Sequence, residues 1–153
     1  MAQSIGGGLD DALSKWLKSV ENTQNLTVAD KTAVNMAGAE VFQKALTDET
    51  REKHYSSHKN EKNGHAADHI TKWVGQKGNR KADTDFSGVV TVGWDNKWHA
   101  MNMMRVNDGT RKMRGDHFIT NLRADPGLRK QILEAEQKAY NDIANKKKNE
   151  GGD

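Results

Sequence analysis

The chain has 153 residues, 34% of them hydrophobic and 29% charged, with 24 basic and 21 acidic side chains for a net charge of +3. That length predicts one domain, soluble but lean in its core, and the small charge excess falls short of the concentrated basic face of a dedicated nucleic-acid binder. Cysteine is absent, which excludes disulfide frameworks and thiolate metal sites, and no window approaches the roughly 18 apolar residues of a membrane span.

The N-terminus lacks the basic n-region and apolar core of a signal peptide, so synthesis in the cytoplasm is expected. A domain of this size buries roughly 68–70% of its unfolded surface. With so few large apolar residues, further stabilisation from a partner or from self-association is expected.

In chain order, residues 1–8 end in Gly6-Gly7-Gly8 and read as a flexible arm, frayed or ordered against a neighbouring subunit. Leu9, Leu13, Trp16, Leu17 and Val20 recur at helical spacing, with Asp10 and Asp11 where negative charge suits the helix dipole. This helix should end near Glu21. Thr27 is placed to N-cap a second, longer helix, with Asp30 at the capping-box position. Val34, Gly38, Val41, Phe42, Ala45 and Leu46 share one face of it. Ala37-Gly38-Ala39 form a narrow strip open to close approach by another backbone. The helix should run to about Lys53 or Tyr55.

Residues 56–64 read as a polar loop. Residues 65–74 fit a helical turn and a strand equally well, through Ile70, Trp73 and Val74. Residues 76–85 are polar and basic, a long exposed loop. Phe86, Val90, Val92 and Trp94 then lie on one face of the clearest strand, with Thr91 and Gly93 on the other. The stretch from Trp94 to Thr110 anchors a centre read as β-rich. It closes in Asn107-Asp108-Gly109, a turn in which glycine takes positive φ at no steric cost. Within it, residues 101–106 fit a further strand or a short helix. Asp116 is placed to cap a short helix containing Phe118, Ile119 and Leu122. Asp125-Pro126 is a helix start, with Leu128, Ile132, Ala135, Ala139 and Ile143 on one face beyond it. Residues 145–153 have no apolar anchor and read as a disordered tail. The expected domain therefore spans residues 9–144. It is α+β: a small antiparallel β-sheet with two N-terminal helices and a C-terminal helix packed mainly on one face.

Chemistry is sparsely indicated. His54 and His58, like His65 and His69, have the i, i+4 spacing that can hold a metal on a helix. No carboxylate spacing joins either pair, so no metal and no cofactor is assigned. Asp95, His99, Asp108, Asp116 and His117 are scattered material for a metal-dependent nuclease, without a motif that organises them. Phosphate-cradling glycine loops and a nucleophile elbow are missing from the sequence. Lys77, Arg80, Lys81, Arg105, Arg111, Lys112 and Arg114 could meet phosphates without reading sequence, either as a solvated basic surface or as the rim of a channel for DNA. Met101, Met103 and Met104 fit core packing or an adaptable subunit interface.

Taken in order, Gly64-His65-Ala66-Ala67-Asp68-His69-Ile70, Val90-Thr91-Val92-Gly93-Trp94, Ala100-Met101, Asn107-Asp108-Gly109-Thr110 and Asp116-His117-Phe118 form a series of landmarks. In order and spacing this series resembles the neck, or head–tail joining, family of tailed siphophages, also termed tail-completion or minor tail components. The resemblance covers roughly residues 30–144. The chain departs from the commoner pattern at His58-Lys59-Asn60-Glu61-Lys62-Asn63, where a proline-rich approach is usual, and at Asn107-Asp108-Gly109-Thr110, where an acidic residue and an aromatic are frequent.

The resemblance implies a structural virion protein and not an enzyme. It would form a ring, commonly sixfold, that joins the DNA-filled head to the tail and leaves a channel for DNA. Implied partners are further copies of the chain, a head-completion or stopper protein, and a tail-terminator or tail-tube protein, with transient non-specific contact to passing double-stranded DNA. On that reading Met101, Met103, Met104, Asn107, Asp108, Gly109 and Thr110 are candidate subunit-interface residues. Lys77, Arg80 and Lys81 are candidate lumen contacts. The alternative is a tail-terminator ring capping the tail tube before docking; more remote is a small DNA-binding or metal-dependent nuclease protein.

Overall fold

The computed structural model describes residues 14, 17, 21, 26–55, 63–75 and 88–150. The glycine arm, most of the first expected helix, His58, Phe86 and the basic loop carrying Lys77, Arg80 and Lys81 lie outside the described residues. Ser14, Leu17 and Glu21 are helical, and Leu17 is exposed.

The architecture mixes helix and sheet. A long helix, α1 (Val28–His54), is the first element fully described, and the 3-10 turn, the first two strands and the last two helices pack on it. It begins as the sequence indicates. The Thr27 hydroxyl accepts from Asp30 N–H at 3.1 Å, and the Asp30 carboxylate accepts from Thr27 N–H at 2.8 Å. That reciprocal pair satisfies two of the backbone donors that a helix start leaves open. A 3-10 turn, Ala66–His69, then leads into strand β1 (Ile70–Val74), so the ambiguous segment contains both a turn and a strand.

Strand β2 (Val90–Trp94) pairs antiparallel with β1, with Ile70 opposite Trp94 and Val74 opposite Val90. This register puts Ile70, Lys72, Val92 and Trp94 on one face. That face meets α1: Gln43 donates from Nε2 to the Ile70 carbonyl at 3.0 Å, and Lys72 Nζ donates to Gln43 Oε1 at 3.1 Å. On the other face, Gly93 leaves room for the Trp73 ring, which a Cβ at Gly93 would meet at 3.2 Å.

The centre is helical where a β-rich one was expected. Residues 97–108 form α2 (Lys97–Asp108), capped by the Asn96 side chain accepting from Trp98 N–H at 2.8 Å. Gly109 ends this helix at φ 86°, the positive value expected of the turn. The strands beyond it, β3 (Gly109–Thr110) and β4 (Met113–Arg114), form a separate two-stranded hairpin. Among the described residues there are thus two small antiparallel sheets where one was expected.

Helix α3 (Phe118–Ala124) follows. Asp116 Oδ1 accepts from Phe118 N–H at 3.1 Å, the capping role anticipated for it. Asp125 does the same for the last helix, α4 (Pro126–Glu150), accepting from Gly127 and Leu128 N–H at 2.7 and 3.1 Å. α4 runs antiparallel along α1: Glu136 lies over Gly38, and Lys147 bonds Asp30. The strip at Gly38 is therefore filled by a side chain of α4. The expected tail is corrected as well. Residues 145–150 continue α4, because Lys147 supplies a charged anchor to α1 in place of an apolar one.

The core is small. Leu46, Ile70, Met103, Phe118 and Ile119 are its buried centre, with Phe42, Val92, Trp94, Val106 and Leu122 packed around them. Phe118 and Leu46 are almost wholly enclosed. No helix among the described residues is long and apolar enough to cross a membrane.

Candidate interaction surface

Helix α2 divides the sequence's methionine cluster. Met103 is 8% exposed and belongs to the core, while Met101 and Met104 are 40% and 58% exposed. The cause is helical geometry: at 100° per residue, position 103 points almost opposite to 101. Met103 is therefore removed from the candidate subunit-interface set.

Asn107 leaves that set too. It is buried, and it links two helices. Its Oδ1 accepts from Ile119 N–H at 2.9 Å and from Thr120 N–H at 3.1 Å; its Nδ2 donates to Thr120 Oγ1 at 3.0 Å and to Asp108 Oδ1 at 2.7 Å. The first two bonds cap the start of α3 from a distant helix. Gly109 is half-buried, and a Cβ there would meet Gly115 N at 2.6 Å. The Asn107–Thr110 turn is thus a joint between α2, the hairpin and α3. Asp108 and Thr110 remain exposed at its edge.

What α2 presents outward is mixed: the exposed apolar Trp98, Met101 and Met104 stand among exposed Lys97, Asn102, Arg105 and Asp108. Trp98, at 65% exposed, is followed at i+3 by Met101 and at i+7 by Arg105, so the three share a ridge. Met104 lies beside Met101 and borders a cavity of about 370 Å³ with Ala100, Trp73, Leu46 and Ile119. A second groove, of about 450 Å³, runs between α1, β2 and α4. The two concavities share Phe42, Val92 and Arg123 and form one trough under the helical ridge. Exposed single apolar residues are ordinary; a run of three joined to an apolar trough is the pattern of an interaction surface.

Glu136 is the exceptional group in that trough. Burial pushes its carboxyl above the usual glutamate range. It lies over Gly38, where a side chain would collide with it, and it makes no ion pair among the described residues.

The histidines and carboxylates weighed for metal or catalytic work are spread through the fold. His69 Nδ1 is 2.9 Å from Asp95 Oδ1, and its ring stacks on His99 at 4.7 Å. His99 is buried and donates from Nε2 to the Asn63 carbonyl at 2.7 Å. His65 stacks on Tyr55, and His54 packs on Phe118 with Nε2 2.9 Å from Asp116 Oδ2. His117 adopts a left-handed backbone, φ 57°. Among the described residues no three such groups converge on a point that could hold a metal ion. Asp95, His99, Asp108 and Asp116 are each engaged in holding local structure.

Arg111 and Lys112 occupy the β3–β4 turn, and Arg114 follows on β4, all exposed. They make a compact basic tip, which sequence spacing alone did not separate from the other cations.

No protein-family model, curated protein or solved structure matches this chain.

Proposed function

We propose that this chain is a structural virion protein of a tailed bacteriophage, a neck component that forms a ring between the DNA-filled head and the tail. The observation that carries the reading is the ridge of Trp98, Met101 and Met104, exposed beside an apolar trough on a domain with a small core. A free monomer gains nothing from exposing that ridge. Repeated copies gain by burying it, and a closed ring of identical subunits needs two different surfaces that fit one another. The resemblance of the Gly64–Ile70, Val90–Trp94, Asn107–Thr110 and Asp116–Phe118 landmarks to the neck family supports the same assignment.

On this reading the β1–β2 sheet and its helices, including a first helix before α1, form the ring wall. The protein works by assembly and catalyses nothing. Its neighbours are a head-completion protein on one side and a tail-terminator or tail-tube protein on the other. The basic tip at Arg111, Lys112 and Arg114, with Lys77, Arg80 and Lys81, supplies cations for sequence-independent contact with passing DNA.

Electron microscopy of particles made without the gene tests the proposal. DNA-filled heads beside unattached tails of normal length are expected. Tails of uncontrolled length would favour a tail-terminator ring. Intact infectious virions would overturn both.

A further inference from the structure

Glu136 forms no ion pair with a cation among the described residues, although Arg123 borders the same groove. Its nearest structural requirement is Gly38, whose missing side chain lets the carboxylate lie across α1 at the wall of the trough. A carboxylate partly withdrawn from water with no ion pair carries part of the free-energy cost of burying a charge. A cation brought in by a neighbour would relieve that cost.

One described cation is mounted for the purpose. Arg105 is exposed on α2, makes no ion pair among the described residues, and shares its ridge with Trp98 and Met101. Guanidinium is the side chain best suited to a partly buried carboxylate, since its planar fork pairs with both oxygens. The ridge therefore carries apolar side chains to fill a groove and a charge to meet the one inside it.

We infer that the Trp98–Met101–Arg105 ridge of one copy seats in the α1–β2–α4 trough of a second copy, with Arg105 meeting the neighbour's Glu136. This rests on the ring reading and names the two surfaces that would close it. Such a contact is heterologous: each copy gives its ridge to one neighbour and its trough to the other.

Sedimentation velocity of the full-length chain tests the pairing through two variants, Arg105→Glu and Glu136→Gln. Each should weaken self-association about tenfold or more, the scale of a close interfacial charge pair. The second variant also separates an interface role from a structural one. Removing an uncompensated carboxylate should leave the melting temperature of the subunit unchanged or raised while association falls. Because the chain has no cysteine, the contact can be mapped by mixing a Met101→Cys chain with an Ile132→Cys chain. A disulfide between the two different chains is expected.

Disulfides only between identical Met101→Cys chains would overturn the inference in favour of a twofold contact. A wild-type chain that stays monomeric at every concentration, or variants that assemble as wild type does, would also overturn it. Assembly that ignores both variants would leave the ring itself standing on other surfaces. The ring reading falls only if particles without the gene are complete.

Discussion

The two faces of α2 differ in what they do for the chain. The inner face carries His99, Met103 and Asn107, all buried, and its polar groups are matched to specific backbone partners. The outer face carries Trp98, Met101, Met104 and Arg105, all exposed, and no described residue covers them. One helix of 12 residues thus holds the fold on one side and offers surface on the other. The lesson is that composition alone misleads here: three neighbouring methionines are not one functional group.

The sharpest way to break this division is at Met103. Met103→Ala should destabilise the subunit by about 2–5 kcal/mol, the range for emptying a buried methionine site, measured by urea denaturation. A loss below about 0.5 kcal/mol would mean that the inner face is not the core. Asn107→Ala comes next. It strands the Ile119 and Thr120 N–H groups, and about 1–3 kcal/mol should be lost, with hydrogen exchange accelerated at the start of α3.

Away from α2, Thr27→Ala should cost about 1 kcal/mol, readable as a lowered melting temperature; an unchanged melt would show that the capping box contributes little. The outer face should respond in the opposite way to the inner one. Met104→Glu should change stability by no more than about 0.5 kcal/mol, as exposed substitutions do, yet abolish assembly in sedimentation and leave DNA affinity unaltered.

Acidity gives a smaller, signed effect. The hydrogen bond from Lys147, aided by those from Thr27, holds the Asp30 carboxyl at about 2, below its ordinary value of 3.8. Its stabilising contribution is present above the ordinary value and is lost as pH falls through about 2. The stability gap between wild type and Lys147→Ala should therefore be full at neutral pH and close in acid. Glu136 has the reverse sign, since its carboxyl is raised in the folded chain. Any advantage of Glu136→Gln in the isolated subunit should be largest at neutral pH and vanish below the ordinary glutamate range. A gap that widened in acid would contradict the burial assigned to Glu136.

The parts of this fold that were legible in the sequence are those fixed by near neighbours. Thr27 with Asp30, Asp125 with Pro126, and Gly109 after Asn107-Asp108 each act within a few residues, and the chain does at those points what local chemistry dictates. Helix α2 was missed as a definite helix because Met101, Met103, Met104 and Val106 satisfy both periods. The signal that could have decided it was Asn96, a capping residue directly before Lys97.

Long-range features left no local trace. Nothing near Asn107 announces that it will cap α3, and nothing near Gly38 announces a glutamate from α4. The tail was misjudged for the same reason, its anchor being a charge on α1. For the candidate surface, the sequence indicated Met101 and Met104 but not Trp98, Arg105 or Glu136, whose roles depend on which sides of α2 and α4 face outward.

The bond between Lys147 and Asp30 joins residues separated by 117 positions. Its consequence belongs to biosynthesis. α1 leaves the ribosome before the helix that covers its Gly38 face has been made. Contacts of such separation form slowly because the closure of a long loop precedes any gain from it. The nascent chain must therefore carry an uncovered α1 until α4 has been translated. On the proposed ring reading, copies would become competent to assemble only after α4 has docked on α1.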